Sequence, residues 1–123
     1  MVENFRHFRA GPDTFGRTWQ VDFMWLQTAI SIRHADAVDV KFLLYDGETR
    51  MEKVVSLRHP DLLELSSQAG RELTDPWCMK LAGLHLIHMI ETGEDFEKTL
   101  VTVLPEYLAK YNTILEEAAA ARA

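Results

Sequence analysis

Apolar and polar residues alternate along the first half of the chain, and the spacing becomes helical after Pro60. From Thr18 to about Ile32, Trp19, Val21, Phe23 and Trp25 sit at odd positions between Gln20, Asp22 and Met24, the period of a strand. The phase then inverts, with Leu26, Ile30 and Ile32 apolar at even positions. One extra residue flips the alternation, so a bulge near Leu26-Gln27 would restore a single core face. A long strand with two apolar faces is the other possibility. Val38, Val40, Phe42 and Leu44 form the next strand, and Asp46-Gly47 predicts a two-residue hairpin loop leading to a return strand from Thr49 to Leu57.

Placing Tyr45 opposite Glu48 sets Phe42 against Met51 and Val38 against Val55, and brings Lys41 to Glu52 as a favourable pair. Lys53 falls on the core face and is the misfit, tolerable at an edge. For the first hairpin, Ile32 with Val38 and Ile30 with Val40 pair core with core and leave residues 33–37 as the loop.

Beyond His59-Pro60-Asp61, Leu62, Leu65, Ala69 and Leu73 follow helical spacing, with Gly70 near the end. The next stretch, Thr74 to Gly93, is the centre of the chain. The side chain of Thr74 or Asp75 can cap its start, Pro76 suits the first helical position, and Gly93 suits the left-handed stop. On a wheel, Cys78, Met79, Ala82, Gly83, Leu86, Ile87, Met89 and Ile90 fill one half. The other half mixes Lys80, His85, His88, Glu91 and Thr92 with Trp77, Leu81 and Leu84. A helix of about 75–92 that is apolar nearly all round is covered on two sides. Its second cover is either a C-terminal helix or another subunit. The candidate helix has the stripe Phe96, Leu100, Val103, Tyr107, Tyr111, Ile114 and Ala118, broken at Leu104-Pro105. Self-association ranks slightly ahead.

The expected fold is α+β in a single domain, residues 1–123. It has an irregular arm (1–17), a three-stranded antiparallel meander (18–58) and a helical part (60–120) of two to three helices on one face. Three phenylalanines, Phe5, Phe8 and Phe15, imply that the arm folds back onto the body.

Charge narrows the partners. Residues 1–60 carry eight Lys/Arg and eight Asp/Glu, and residues 61–123 carry five against eleven, which gives the net −6. Nothing basic clusters, so nucleic acid is not an expected partner. The central helix is interrupted by charge and by two histidines, so no membrane span is expected. Met1 to Arg6 lacks a signal-like apolar run, and a cytoplasmic location is expected. The single cysteine, Cys78, permits no internal disulfide and reads as a small buried residue.

Candidate chemistry is sparse. His85 and His88, with Glu91 on the same ridge, are a weak metal candidate, since HExxH is absent and no second helix offers Glu-x-x-His. No metal or other cofactor is therefore expected. Trp19, Phe23, Trp25 and Tyr45 form an aromatic group, with Trp25 and Tyr45 facing one another on the sheet side away from the core. No phosphate loop, nucleophile elbow or paired catalytic carboxylates are evident. The leading expectation is a non-catalytic, self-associating protein-interaction module that uses Trp77, Leu81 and Leu84 as a homodimer face. The alternative is a small-molecule-binding protein or enzyme with a pocket lined by Trp77, His85 and His88.

Overall fold

The computed structural model describes residues 2, 4–29 and 36–122. A five-stranded mixed sheet is covered by three helices, in the order β1 (His7–Ala10), β2 (Trp19–Ala29), β3 (Ala37–Asp46), β4 (Thr49–Arg58), α1 (His59–Ala69), α2 (Asp75–Thr92), β5 (Leu100–Thr102) and α3 (Pro105–Arg122). The strands lie in sequence order. β1 to β4 are antiparallel neighbours, and β5 is parallel to β4.

The expected meander is therefore the middle of a larger sheet. The arm supplies β1, where Phe8 and Ala10 face the core while His7 and Arg9 face out. Phe5 is also buried, but Phe15 is 93 % exposed, so only part of the arm packs back. At the other edge, Leu100–Thr102 is a strand and not the first turn of a helix. The β-branched run Thr99, Val101, Thr102, Val103 suits a pleated edge, and the α1–α2 crossover brings it parallel to β4, with Val55 beside Val101. The helical stripe read through Phe96, Leu100 and Val103 breaks at Pro105, which opens α3.

Both hairpin registers differ from expectation. In β3–β4, Asp46 pairs with Thr49, Leu44 with Met51 and Val40 with Val55. The tip is therefore Gly47-Glu48, with Gly47 at φ 59°, as a turn with glycine at its first central position requires. A slip of two residues leaves every side chain on its expected face. Lys41 still reaches Glu52, at 2.8 Å, but as a diagonal neighbour. In β2–β3 the bulge lies between Phe23 and Trp25, two residues earlier than expected. Val40 meets Leu26 and Val38 meets Thr28. The expected partners Ile30 and Ile32, and the expected loop residues 33–35, lie outside the described residues.

Lys53 is buried on the core face opposite Phe42, but β4 is an inner strand, so an edge position does not excuse the misfit. It is tolerated because its Nζ donates to the carbonyls of Phe96 and Lys98, at 2.7 Å for the latter. Burial lowers its pKa, and the two carbonyls tether the segment leading into β5.

α2 is the most buried element. Its ends match the reading of Pro76 and of Gly93 at φ 79°, but neither Thr74 nor Asp75 makes a side-chain cap. Leu81, Leu86, Met89 and Ile90 have no exposure. Phe5 lies so close to Gly83 that a Cβ there would stand 2.6 Å from the ring.

Candidate functional site

α3 closes the second face of α2 within one chain. Leu108, Tyr111, Asn112 and Leu115 are buried on α3, and Trp77, Leu81, Leu84 and His85 on α2. The Trp77 Nε1–H donates to Asn112 Oδ1 at 2.8 Å. Of the two covers considered from the sequence, the C-terminal helix is the one in place. The surface that made Trp77, Leu81 and Leu84 a dimer face is already occupied.

The polar part of this seam is an aromatic cluster. His85 and His88, one turn apart on α2, stack with ring centroids 5.8 Å apart. Tyr107 and Tyr111, one turn apart on α3, stack at 6.0 Å; Tyr107 lies against both histidines and Tyr111 against His85. His85 Nδ1 and the Tyr111 hydroxyl share a hydrogen bond of 2.8 Å. Burial, reinforced by His88, lowers the His85 pKa to about 4, and burial pushes the Tyr111 hydroxyl upward, so this pair is neutral near pH 7. At the rim, His88 Nε2 meets Glu94 Oε2 at 2.5 Å, and the Tyr107 hydroxyl donates to the same oxygen at 3.1 Å. Those bonds, His88 first, hold the Glu94 carboxyl below its usual range.

Among the described residues, no three His, Cys, Asp or Glu side chains gather as metal ligands. The imidazole nitrogens that meet a partner face Tyr111 and Glu94, while Glu91 is exposed. Chemically the cluster is a hydrogen-bonded lock between two helices. On the sequence alone, Tyr107 and Tyr111 fall on the apolar stripe of the C-terminal helix but not as hydrogen-bonding partners of the histidines, Glu94 is not assigned to this cluster, and Asn112 is passed over. The legible signal was the matching spacing: an i, i+3 histidine pair on one helix and an i, i+4 tyrosine pair on the next. Cys78 is buried, and burial with the nearby Asp75 charge raises its thiol to about 11, so it stays protonated.

The aromatic group does not converge. Trp19 is in the core, its indole N–H donating to Asp13 Oδ2 at 3.0 Å. Asp13 accepts from the backbone of Phe15 and Arg17 as well, and so organises the loop before β2. Phe23 packs edge-on against Phe42. Trp25 lies opposite Lys41, whose ammonium is 5.7 Å from its ring, whereas Tyr45 lies opposite Gln20. The expected Trp25–Tyr45 pairing is thus replaced by two separate positions on the outer sheet face, because the bulge precedes Trp25 and the register differs.

Two of the clefts bounded by described residues lie on the side of the sheet edge formed by β2. One of about 320 Å³ touches Phe23, Trp25, Leu26 and the start of α2. Another of about 340 Å³ lies between α1, α2 and the ends of β2 and β3. Neither lining includes Trp77, His85 or His88. No described helix is long and apolar enough to cross a membrane. The chain matches no protein-family model, no curated protein and no solved structure.

Proposed function

We propose that the protein is a non-catalytic assembly module that pairs with a second copy of itself through the helix-free face of its sheet. One observation carries this reading: among the described residues, the helices cover one side of the sheet only. The alternate residues of β3 and β4 on the other side, among them Leu43, Tyr45 and Val54, stand half-buried outside the core cluster, with Trp25 beside them. Such a group, rimmed by polar residues, is typical of an association surface.

Charge favours a second copy as the partner. The Lys41–Glu52 pair satisfies opposite charges within the face, and His7 is hydrogen-bonded to Asp22. The sheet-forming half of the sequence has no net charge, while the helical half carries −6. Two copies approaching sheet to sheet meet no net repulsion, whereas helix to helix they would repel. The test is sedimentation velocity at micromolar concentration on the wild type and on Leu43→Glu. The expected result is a wild-type dimer and a folded Leu43→Glu monomer. A wild type that stays monomeric throughout, or a Leu43→Glu dimer, would refute the proposal.

A further inference from the structure

β2 is only half used on its outer side. It is an 11-residue strand paired with β3 along its length, from Gln20 opposite Tyr45 to Ala29 opposite Ala37. β1 covers only Trp19 to Asp22, and the last rung is the Phe23 N–H donating to the Arg6 carbonyl at 2.8 Å. Among the described residues no strand lies against the remainder. Past the bulge, Trp25, Gln27 and Ala29 stand opposite Lys41, Asp39 and Ala37. Alternation then turns the main-chain groups of Leu26 and Thr28 to the open side. Exposed edges are usually blunted by charge or proline, yet nothing from Phe23 to Ala29 is charged or proline.

The open edge is also walled. The cleft of about 320 Å³ has Arg6, Phe23, Trp25 and Leu26 along the strand, and Asp75, Pro76 and Met79 from the start of α2 facing them. Asp75 borders the second cleft as well, where Thr28, Asp36 and Glu72 join it. The two clefts meet at Asp75 and follow one another along the edge. The groove they outline runs from a basic end, Arg6, past Asp75 at the junction to an acidic end, Asp36 and Glu72, with His59 also at that end and apolar lining between.

We propose that this groove takes an extended peptide segment of a protein partner, added antiparallel to β2 in the row that β1 leaves empty. The direction follows from β1: a guest in its row enters beside Thr28 and leaves beside Arg6. The charges then specify a basic residue near the guest's N-terminal end and an acidic one near its C-terminal end. Alternate apolar side chains between them enter the groove, and main-chain bonds supply affinity. A second copy fits this groove poorly, because its own β2 carries no charge between Phe23 and Ala29 to meet either end.

Two acetylated, amidated synthetic peptides test the proposal: Lys-Val-Thr-Val-Thr-Val-Glu, and the same peptide with Lys and Glu exchanged. Binding is followed by tryptophan fluorescence, and protection of the Leu26 and Thr28 amides by hydrogen exchange. The first peptide should bind about tenfold more tightly than the second, the size expected when two exposed ion pairs replace two like-charge contacts. It should also protect both amides. Thr28→Pro removes an edge N–H without removing a rung to β3, so it should abolish binding while keeping the wild-type far-UV spectrum. Arg6→Glu, at an exposed position, should erase the preference and serves if the proline variant does not fold. Equal affinities, binding by neither peptide, or full binding by Thr28→Pro would overturn the proposal. So would a dimer lost in Thr28→Pro with no peptide binding, which would assign the edge to a second copy.

Discussion

His85 makes the stability of this fold depend on pH in a way that can be worked out beforehand. The side chain is 3 % exposed, hydrogen-bonded to Tyr111 and stacked between two tyrosines and His88. Its pKa is lowered from 6.5 to about 4, chiefly by burial. A base whose folded pKa is depressed binds fewer protons in the folded state. Its stability contribution is therefore full above the unfolded value, is lost as pH falls from about 6.5 to 4, and is constant below that. At about 1.4 kcal/mol per pH unit the interval sets a limit of roughly 3 kcal/mol, of which about 2 kcal/mol is lost by pH 5. The assay is denaturant unfolding at pH 7 and pH 5 for the wild type and for His85→Gln, whose neutral amide can still meet the Tyr111 hydroxyl. Asp13 and Glu94, held low by their hydrogen bonds, lose stability at lower pH and do so in both proteins, so they cancel in the comparison. Wild type should lose about 2 kcal/mol more than the variant between the two pH values. Equal losses would show that His85 is not a buried neutral imidazole.

The remaining predictions concern packing and turns. Gly83→Ala should destabilise by about 1–3 kcal/mol in denaturant unfolding, because the new Cβ meets the buried Phe5 ring; an unchanged midpoint would show that the arm is not seated there. Gly47→Val should cost about 1–2 kcal/mol at a turn residue with φ 59°, read as a lower melting temperature; equal stability would mean that the turn is misplaced. Leu81→Glu should yield no folded chain by circular dichroism, since Leu81 is fully buried within a single chain; a folded, dissociated monomer would restore the helical dimer face.

Local pattern alone determined the middle of the fold. The alternation of Val38 to Leu44 and the stops at Gly70 and Gly93 act over a few residues and the structure keeps them, while the Asp46-Gly47 turn signal places the hairpin within one residue of its Gly47-Glu48 tip. Face assignment survived even where register did not, because a slip of two residues preserves side-chain parity. Lys53 was recognised as a core-face misfit, but its resolution depends on carbonyls more than forty residues away. The two outer strands were decided by tertiary contact. His7–Ala10 and Leu100–Thr102 are too short to show a period, and each is a strand because a neighbouring strand offers its free hydrogen-bonding edge. The same reason governs the site. Periodicity showed that α2 needed two covers, but only the placement of α3 decides that Trp77, Leu81 and His85 are an internal seam. Among the described residues, the outer sheet face and the second half of β2 are left without a cover, which no local pattern shows. A wheel describes one helix at a time, whereas burial of its second face depends on where the chain places the next.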